Sequence, residues 1–144
     1  MKTLLVVCAA ALALIGSAQA DTLDGNAQRL YSNEEVEKGI DIGASYLNKK
    51  VPFMIDKDTR FDRVTKDGPN KITHHYTIVT APADKYRTAD AKEFLTHWLV
   101  RRTCGTPGQR RLVDSGMIVN YELSGNDGLH AVTVTVDRQT CKPI

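Results

Sequence analysis

Two cysteines, Cys104 and Cys141, restrict the folds open to this chain more than any other feature, provided that they are oxidised. Oxidation depends on compartment, and the first twenty residues, MKTLLVVCAAALALIGSAQA, speak to that. Lys2 gives a short positive region and Leu4 to Ile15 an apolar run well below the roughly 20 residues that span a bilayer. Ala18-Gln19-Ala20 then offers the small-x-small pattern that signal peptidase requires. The expectation is a signal peptide over residues 1–20 and one mature α+β domain over residues 21–144, periplasmic or secreted.

A third cysteine, Cys8, sits inside the leader. A lipoprotein signal would place its cysteine at the end of the apolar run, behind a small residue, whereas Cys8 lies in the middle of the run and follows Val7. It reads as apolar filler lost with the leader. Export and an even count of two remaining cysteines then point to one disulfide, Cys104–Cys141. Zinc would want further ligands at short spacing and thiol exchange a C-x-x-C, and neither occurs.

Loss of the leader removes Lys2 and takes the formal net charge from +2 to +1. Such a balance does not call for a polyanionic partner. The mature length suits one core and not two, and no second apolar stretch in it reaches the length of a transmembrane helix.

Periodicity supplies the elements. In YSNEEVEKGIDIGASYLNKKVP, Ser32 stands three residues before Glu35, the capping-box spacing, and Val36, Ile40, Gly43 and Leu47 form one apolar stripe of a helix. Gly39-x-x-x-Gly43 is flanked by charge and reads as a smooth patch for close approach to a sheet, not as a membrane motif. Pro52 marks the stop. Two strands should follow, turning at Asp67-Gly68-Pro69-Asn70, with Ile72, His74, Tyr76 and Ile78 on one face and Thr73, His75, Thr77 and Val79 on the other.

Thr88 can cap a second helix in which Ala91, Phe94, Leu95, Trp98 and Leu99 cluster on one side, with Gly105 and Pro107 as its end. The last third reads as a hairpin through Gly125-Asn126-Asp127-Gly128, with Met117, Val119, Tyr121 and Leu123 facing the same way as Val132, Val134 and Val136. The fold expected is an antiparallel sheet of about four strands with two helices packed on one face, in the order αββαββ, braced by the disulfide.

Reactive groups are sparse. GASYL misses the nucleophile-elbow spacing, and the four histidines, His74, His75, His97 and His130, form no metal pattern. His74 and His75 are adjacent in a strand, so they point to opposite faces and cannot share an ion. DKDTRF at Asp56 to Phe61 starts like a calcium loop but lacks the later Gly and Glu, which makes it a turn. The reading is of a non-enzyme with no catalytic residue, no metal and no cofactor. Arg101, Arg102, Arg110 and Arg111 gather positive charge around Cys104 and suit an acidic partner, a solvated loop being the plainer alternative. Spacing from Leu95 and Trp98 sets Arg102 on the apolar side of the helix, its stem along the core. Without interleaved aromatics the cluster does not suit nucleic acid.

Several stretches carry a resemblance: ASYLNKKVP closing the first helix, a hairpin ending in HYTIV, a helix ending in Cys104, RRLVDSGMIVNYEL with Gly116 and Tyr121, and the final Cys141. On these the chain resembles small exported Gram-negative proteins of uncharacterised role and, more distantly, the disulfide-bearing pilotins of type II secretion. Pilotins carry a lipid-modified N-terminal cysteine and bind a short C-terminal helix of the secretin. The missing lipid cysteine argues against carriage of a secretin to the outer membrane. The resemblance implies a small protein-binding module whose groove is formed by a sheet edge and the helix beside it.

The function expected is therefore binding of another protein. A cystatin-like protease inhibitor is the first alternative, with SGNDGLH a poor substitute for its Q-x-V-x-G hairpin. The second is a small ligand carrier or hydrolase with a pocket between helices and sheet. Intact-mass analysis of the exported protein should find a chain starting at Asp21 with no acyl group; an acylated N-terminus would contradict the reading of Cys8.

Overall fold

The structure, a computed structural model, describes residues 29–142. The expected signal peptide and cleavage site, with Cys8, lie outside these residues. The elements run α1 (Asn33–Asn48), β1 (Phe53–Met54), β2 (Thr59–Gly68), β3 (Lys71–Ile78), a 3-10 turn (Ala83–Tyr86), α2 (Ala89–Gly105), α3 (Pro107–Asp114), β4 (Ile118–Ser124) and β5 (His130–Val136). Their strands form one sheet in the order β1-β2-β3-β4-β5.

The α+β class holds, with three corrections. The sheet has five strands where about four were expected, because Phe53 and Met54, just beyond Pro52, pair with Phe61 and Arg60. It is mixed and not wholly antiparallel: Lys71 to Thr77 run parallel to Ile118 to Ser124. A parallel neighbour needs a long crossover, and the stretch between β3 and β4 supplies one, whereas the order of elements alone leaves strand direction open. Third, α2 ends at Gly105 as expected, but a further helix that was not expected follows it. Proline lacks only a hydrogen bond that a first-turn residue would not make, so Pro107 opens α3 directly after α2.

Local chemistry explains the helix starts. The Glu35 amide donates to Ser32 Oγ and the Glu35 carboxylate accepts from the Ser32 amide, completing the capping box. Arg29 adds a two-pronged ion pair to the same carboxylate, at 2.9 and 2.7 Å. The Arg29 hydrogen bond and the Ser32 amide together hold the Glu35 pKa down at about 2. Thr88 caps α2 through the Ala91 amide.

One apolar cluster unites α1, the sheet, α2 and α3. Val36, Ile40 and Ala44 from α1 meet Phe61, Val64 and Ile72, while Leu99 and Val113 share the core with Val119, Tyr121, Val132, Val134 and Val136. Cross-strand register sets the alternation: Val64, His74, Tyr121 and Val134 form one row, and residues directly opposite share a face. Gly43 departs from its expected role, since a Cβ there would meet nothing within 4 Å.

Helix α1 also shields the edge of β2. The Asn48 carboxamide accepts from the Val64 amide and donates to the Val64 carbonyl, both at 2.8 Å, taking the place of a neighbouring strand. Lys66, farther along β2, reaches Glu37 and Asp41 on α1.

The disulfide closes as expected, Cys104 to Cys141, with the Cα atoms 5.4 Å apart across a separation of 37 residues. A loop of that length contributes about 3–4 kcal/mol in the chain-entropy estimate. A second tie lies at the β4–β5 turn, where the Asp127 carboxylate accepts from the Ala83 amide. There a Cβ on Gly125 would sit 2.1 Å from the Ala83 nitrogen. Gly125→Ala should therefore lower stability by about 1–3 kcal/mol, the usual cost of overpacking, as read by urea unfolding; an unchanged midpoint would show that the two segments do not touch.

Candidate functional site

Helix α1 packs on β2 and β3, and α2 packs on β5. On the α2 side, Thr103 and Tyr121 of β4 share a buried hydrogen bond of 2.7 Å between their hydroxyl oxygens. Helix α1 thus lies over β2 and β3 and α2 over β5, and the sheet residues on this face include an aromatic row in which Phe61 and Tyr121 are buried and Phe53 and Tyr76 half-buried. Phe61 and Tyr76 stack with centroids 4.9 Å apart, Phe53 meets Phe61 edge-on at 5.5 Å, and His74 meets Tyr121 edge-on at 5.5 Å. Strand alternation assembles this row, since His74 and Tyr76 are two residues apart and Phe61 is the register partner of Tyr76. Half-buried Leu47, Phe53, Tyr76, Tyr86 and Leu95 pack against the core around it.

His74 differs from its ring neighbours in being an imidazole, whose unperturbed pKa lies near neutral pH. Burial, and secondarily the charge of His75, push its pKa down to about 4, so the ring is neutral at pH 7. Its Nδ1 lies 3.3 Å from the Tyr76 hydroxyl. The imidazole here is a neutral member of the aromatic row, tilted against Phe61 and Tyr76 and edge-on to Tyr121.

The opposite face of the sheet is polar, as the alternation requires. Thr65 Oγ1 lies 2.9 Å from His75 Nε2, and Glu122 Oε1 lies 3.6 Å from His75 Nδ1, with Arg63 Nη2 3.4 Å from the same nitrogen. Hydroxyl, imidazole and carboxylate in that order resemble a nucleophile with its base and orienting group. A developing oxyanion would need N–H donors aimed at it, and the backbone around these residues is engaged in ladders on both sides. Thr77 and Asp62, Thr73 and Asp67, and Thr135 with Asn120 continue the ladder. His74 and His75 do point to opposite faces, and the described residues hold no group of three or more His, Cys, Asp or Glu able to bind a metal ion.

The four arginines separate into two pairs. Arg110 is bound to Asp114 at 2.8 and 2.9 Å, and Arg111 donates to the Arg29 carbonyl at 2.9 Å and lies over the Tyr31 ring at 4.2 Å. These two hold α3 and the entry to α1 in place. Arg101 and Arg102 are exposed at the end of α2. Arg102 is not laid along the core: its guanidinium carbon is 5.2 Å from the Trp98 ring, itself at the surface.

Of the helical side expected to cluster, Leu95 and Leu99 turn inward and Phe94 and Trp98 do not. Leu99 and Thr103, 6% and 1% exposed, face the sheet, whereas Phe94 and Trp98 are 69% and 47% exposed. Leu95 and Leu99 fit either of two overlapping stripes. Thr103, a polar residue four positions beyond Leu99, is the signal for the right one, because Tyr121 gives its hydroxyl a partner.

No protein-family model matches the sequence, and no curated protein matches it. Solved structures do match. A Pseudomonas aeruginosa protein described as secreted aligns with a TM-score of 0.66 at 20% identity, covering 82% of this chain and 100% of its own. The pilotin EpsS of the Vibrio vulnificus type 2 secretion system aligns with a TM-score of 0.62 at 17% identity, covering 78% of this chain and 97% of its own. The type II secretion pilotin AspS of Vibrio cholerae aligns with a TM-score of 0.57 at 18% identity, covering 76% and 95%. The distant resemblance read in the sequence is thus a shared fold. No helix among the described residues is long and apolar enough to cross a membrane.

The His74 pKa sets a pH test. Its folded value lies below the unfolded one of about 6.5, so its contribution to stability is complete above pH 6.5 and is lost as pH falls towards 4. The urea midpoint should fall across that window, above the range in which Glu35 titrates, and His74→Leu should flatten the fall; an equally steep fall in the variant would place the titrating group elsewhere.

Proposed function

We propose that this chain is a non-enzymatic, exported binding module of the cell envelope that holds a short segment of another protein between α1 and α2. The observation that carries the reading is the uncharged aromatic row between two helices, on a fold shared with two type II secretion pilotins. An amphipathic helix laid into an apolar groove is a common mode of peptide recognition, and ring faces supply much of the affinity in such sites. A secretion-related partner is the class that the pilotin likeness favours.

The alternatives have less support. A cystatin-like inhibitor needs a hairpin tip free to wedge into a protease, and the tip at Gly125 to Gly128 is tied to the 3-10 turn through Asp127. For hydrolysis, the Thr65–His75–Glu122 row lies on the polar face of the sheet, where the backbone N–H groups beside it are engaged in ladders. An acidic partner contact has Arg101 and Arg102 to serve it, since Arg110 and Arg111 are engaged elsewhere.

Affinity capture from periplasm and culture medium with the tagged protein tests the proposal. Capture should survive Thr133→Glu on the opposite face and weaken at least tenfold in a folded Phe53→Ser/Tyr76→Ala variant. A partner retained by that variant but lost by Thr133→Glu would move the site to the open face of the sheet.

A further inference from the structure

Helix α2 is apolar on two sides. Its inner side, buried Leu99 and Thr103 with half-buried Leu95, packs on the core, and its outer side presents Phe94 and Trp98 to solvent. A surface helix ordinarily turns a polar face outward, so an exposed aromatic pair one turn apart marks a surface built for contact. It is distinct from the site proposed between α1 and α2, being on the side of the helix away from the sheet.

The charges beside that pair identify the occupant. Asp90 and Arg101 are both exposed, and neither enters an ion pair among the described residues. They are eleven residues apart, about three helical turns, and therefore lie on the same flank of the outer stripe. The midpoint between them falls beside residue 96, and the midpoint of Phe94 and Trp98 falls on it. When two copies of a helix pair antiparallel about a twofold axis, each flank meets its own counterpart reversed end to end. A twofold axis at residue 96 therefore sets Phe94 of one copy against Trp98 of the other, and Asp90 of each against Arg101 of the other. Such self-complementarity is what an isologous interface requires.

We infer that the outer face of α2 is a self-association surface, on which a second copy of this chain docks antiparallel through Phe94 and Trp98 with reciprocal Asp90–Arg101 ion pairs. Of two arginines suited to an acidic group, Arg101 takes the carboxylate of the second copy, and Arg102 stays stacked on Trp98. A stripe of this size is smaller than a standard interface of roughly 800 Å² per partner, so the dimer is weak and concentration-dependent.

Sedimentation velocity on the purified mature protein over a concentration series, alongside fluorescence of Trp98, the sole tryptophan, tests this directly. A monomer–dimer equilibrium should appear, with the tryptophan emission moving to the blue as dimer forms. Phe94→Ser/Trp98→Ser should remain monomeric. Asp90→Arg and Arg101→Asp should each weaken dimerisation about tenfold or more, and the double variant, which exchanges the charges, should recover most of the loss. A monomer at every concentration overturns the inference, as does a double variant no better than the singles. Wild-type protein that stays monomeric while its tryptophan shifts on vesicles of anionic phospholipid assigns the stripe to a membrane surface instead and equally overturns it. Because purified protein alone is measured, the result is independent of whether an envelope partner is captured.

Discussion

β3 and β4 lie side by side and parallel, so the chain must travel from one end of the sheet back to the other between them. Everything placed on the helical face follows from that journey. The crossover carries the 3-10 turn, α2 and α3, and sets α2 over β5, apart from α1 over β2 and β3. It is fastened at two points. Asp127 and the tight approach of Gly125 to Ala83 hold its beginning to the β4–β5 turn, and the disulfide holds the end of α2 to the residues beyond β5. A small domain has only a modest stability margin, typically about 5–15 kcal/mol, so a covalent tie of about 3–4 kcal/mol is a large share of it.

The two faces of the sheet then divide the chemistry. Rows of valine, phenylalanine and tyrosine turn towards the helices, and rows of threonine with His75, Asn120 and Glu122 turn to the opposite side. The strand containing both histidines shows how one position of offset changes a residue's role. His74 is desolvated and neutral among rings, while His75 joins a hydroxyl and two charged groups. One face carries the aromatic row, the other a ladder of polar side chains bonded to one another.

Much of this was readable from residue order alone, and the gaps have physical causes. Capping boxes, strand alternation and hairpin glycines are local, so the Ser32 and Thr88 caps, the facing of His74 and His75, and the β4–β5 turn followed from spacing. Strand direction across β3 and β4 is non-local and depends on how a long crossover returns, which no short window contains. Strand β1 is two residues long and takes its identity from Phe61 opposite it. The buried side of α2 was ambiguous because the helix has two apolar stripes, and the correct one is marked by a threonine whose value depends on Tyr121. Positive charge was legible as a cluster, but the division of the arginines was not: Asp114 and the Arg29 carbonyl claim two of them only once the chain is folded.

Amide hydrogen exchange of the oxidised and reduced protein, compared residue by residue, examines the fastened crossover most directly. Reduction should raise exchange in β5 and the last turn of α2 well above that in α1 and β2, which are joined through Asn48 and Lys66 without sulfur. Identical exchange maps in the two states would show that the bond between Cys104 and Cys141 fastens nothing, and the account of how this sheet is closed would fail.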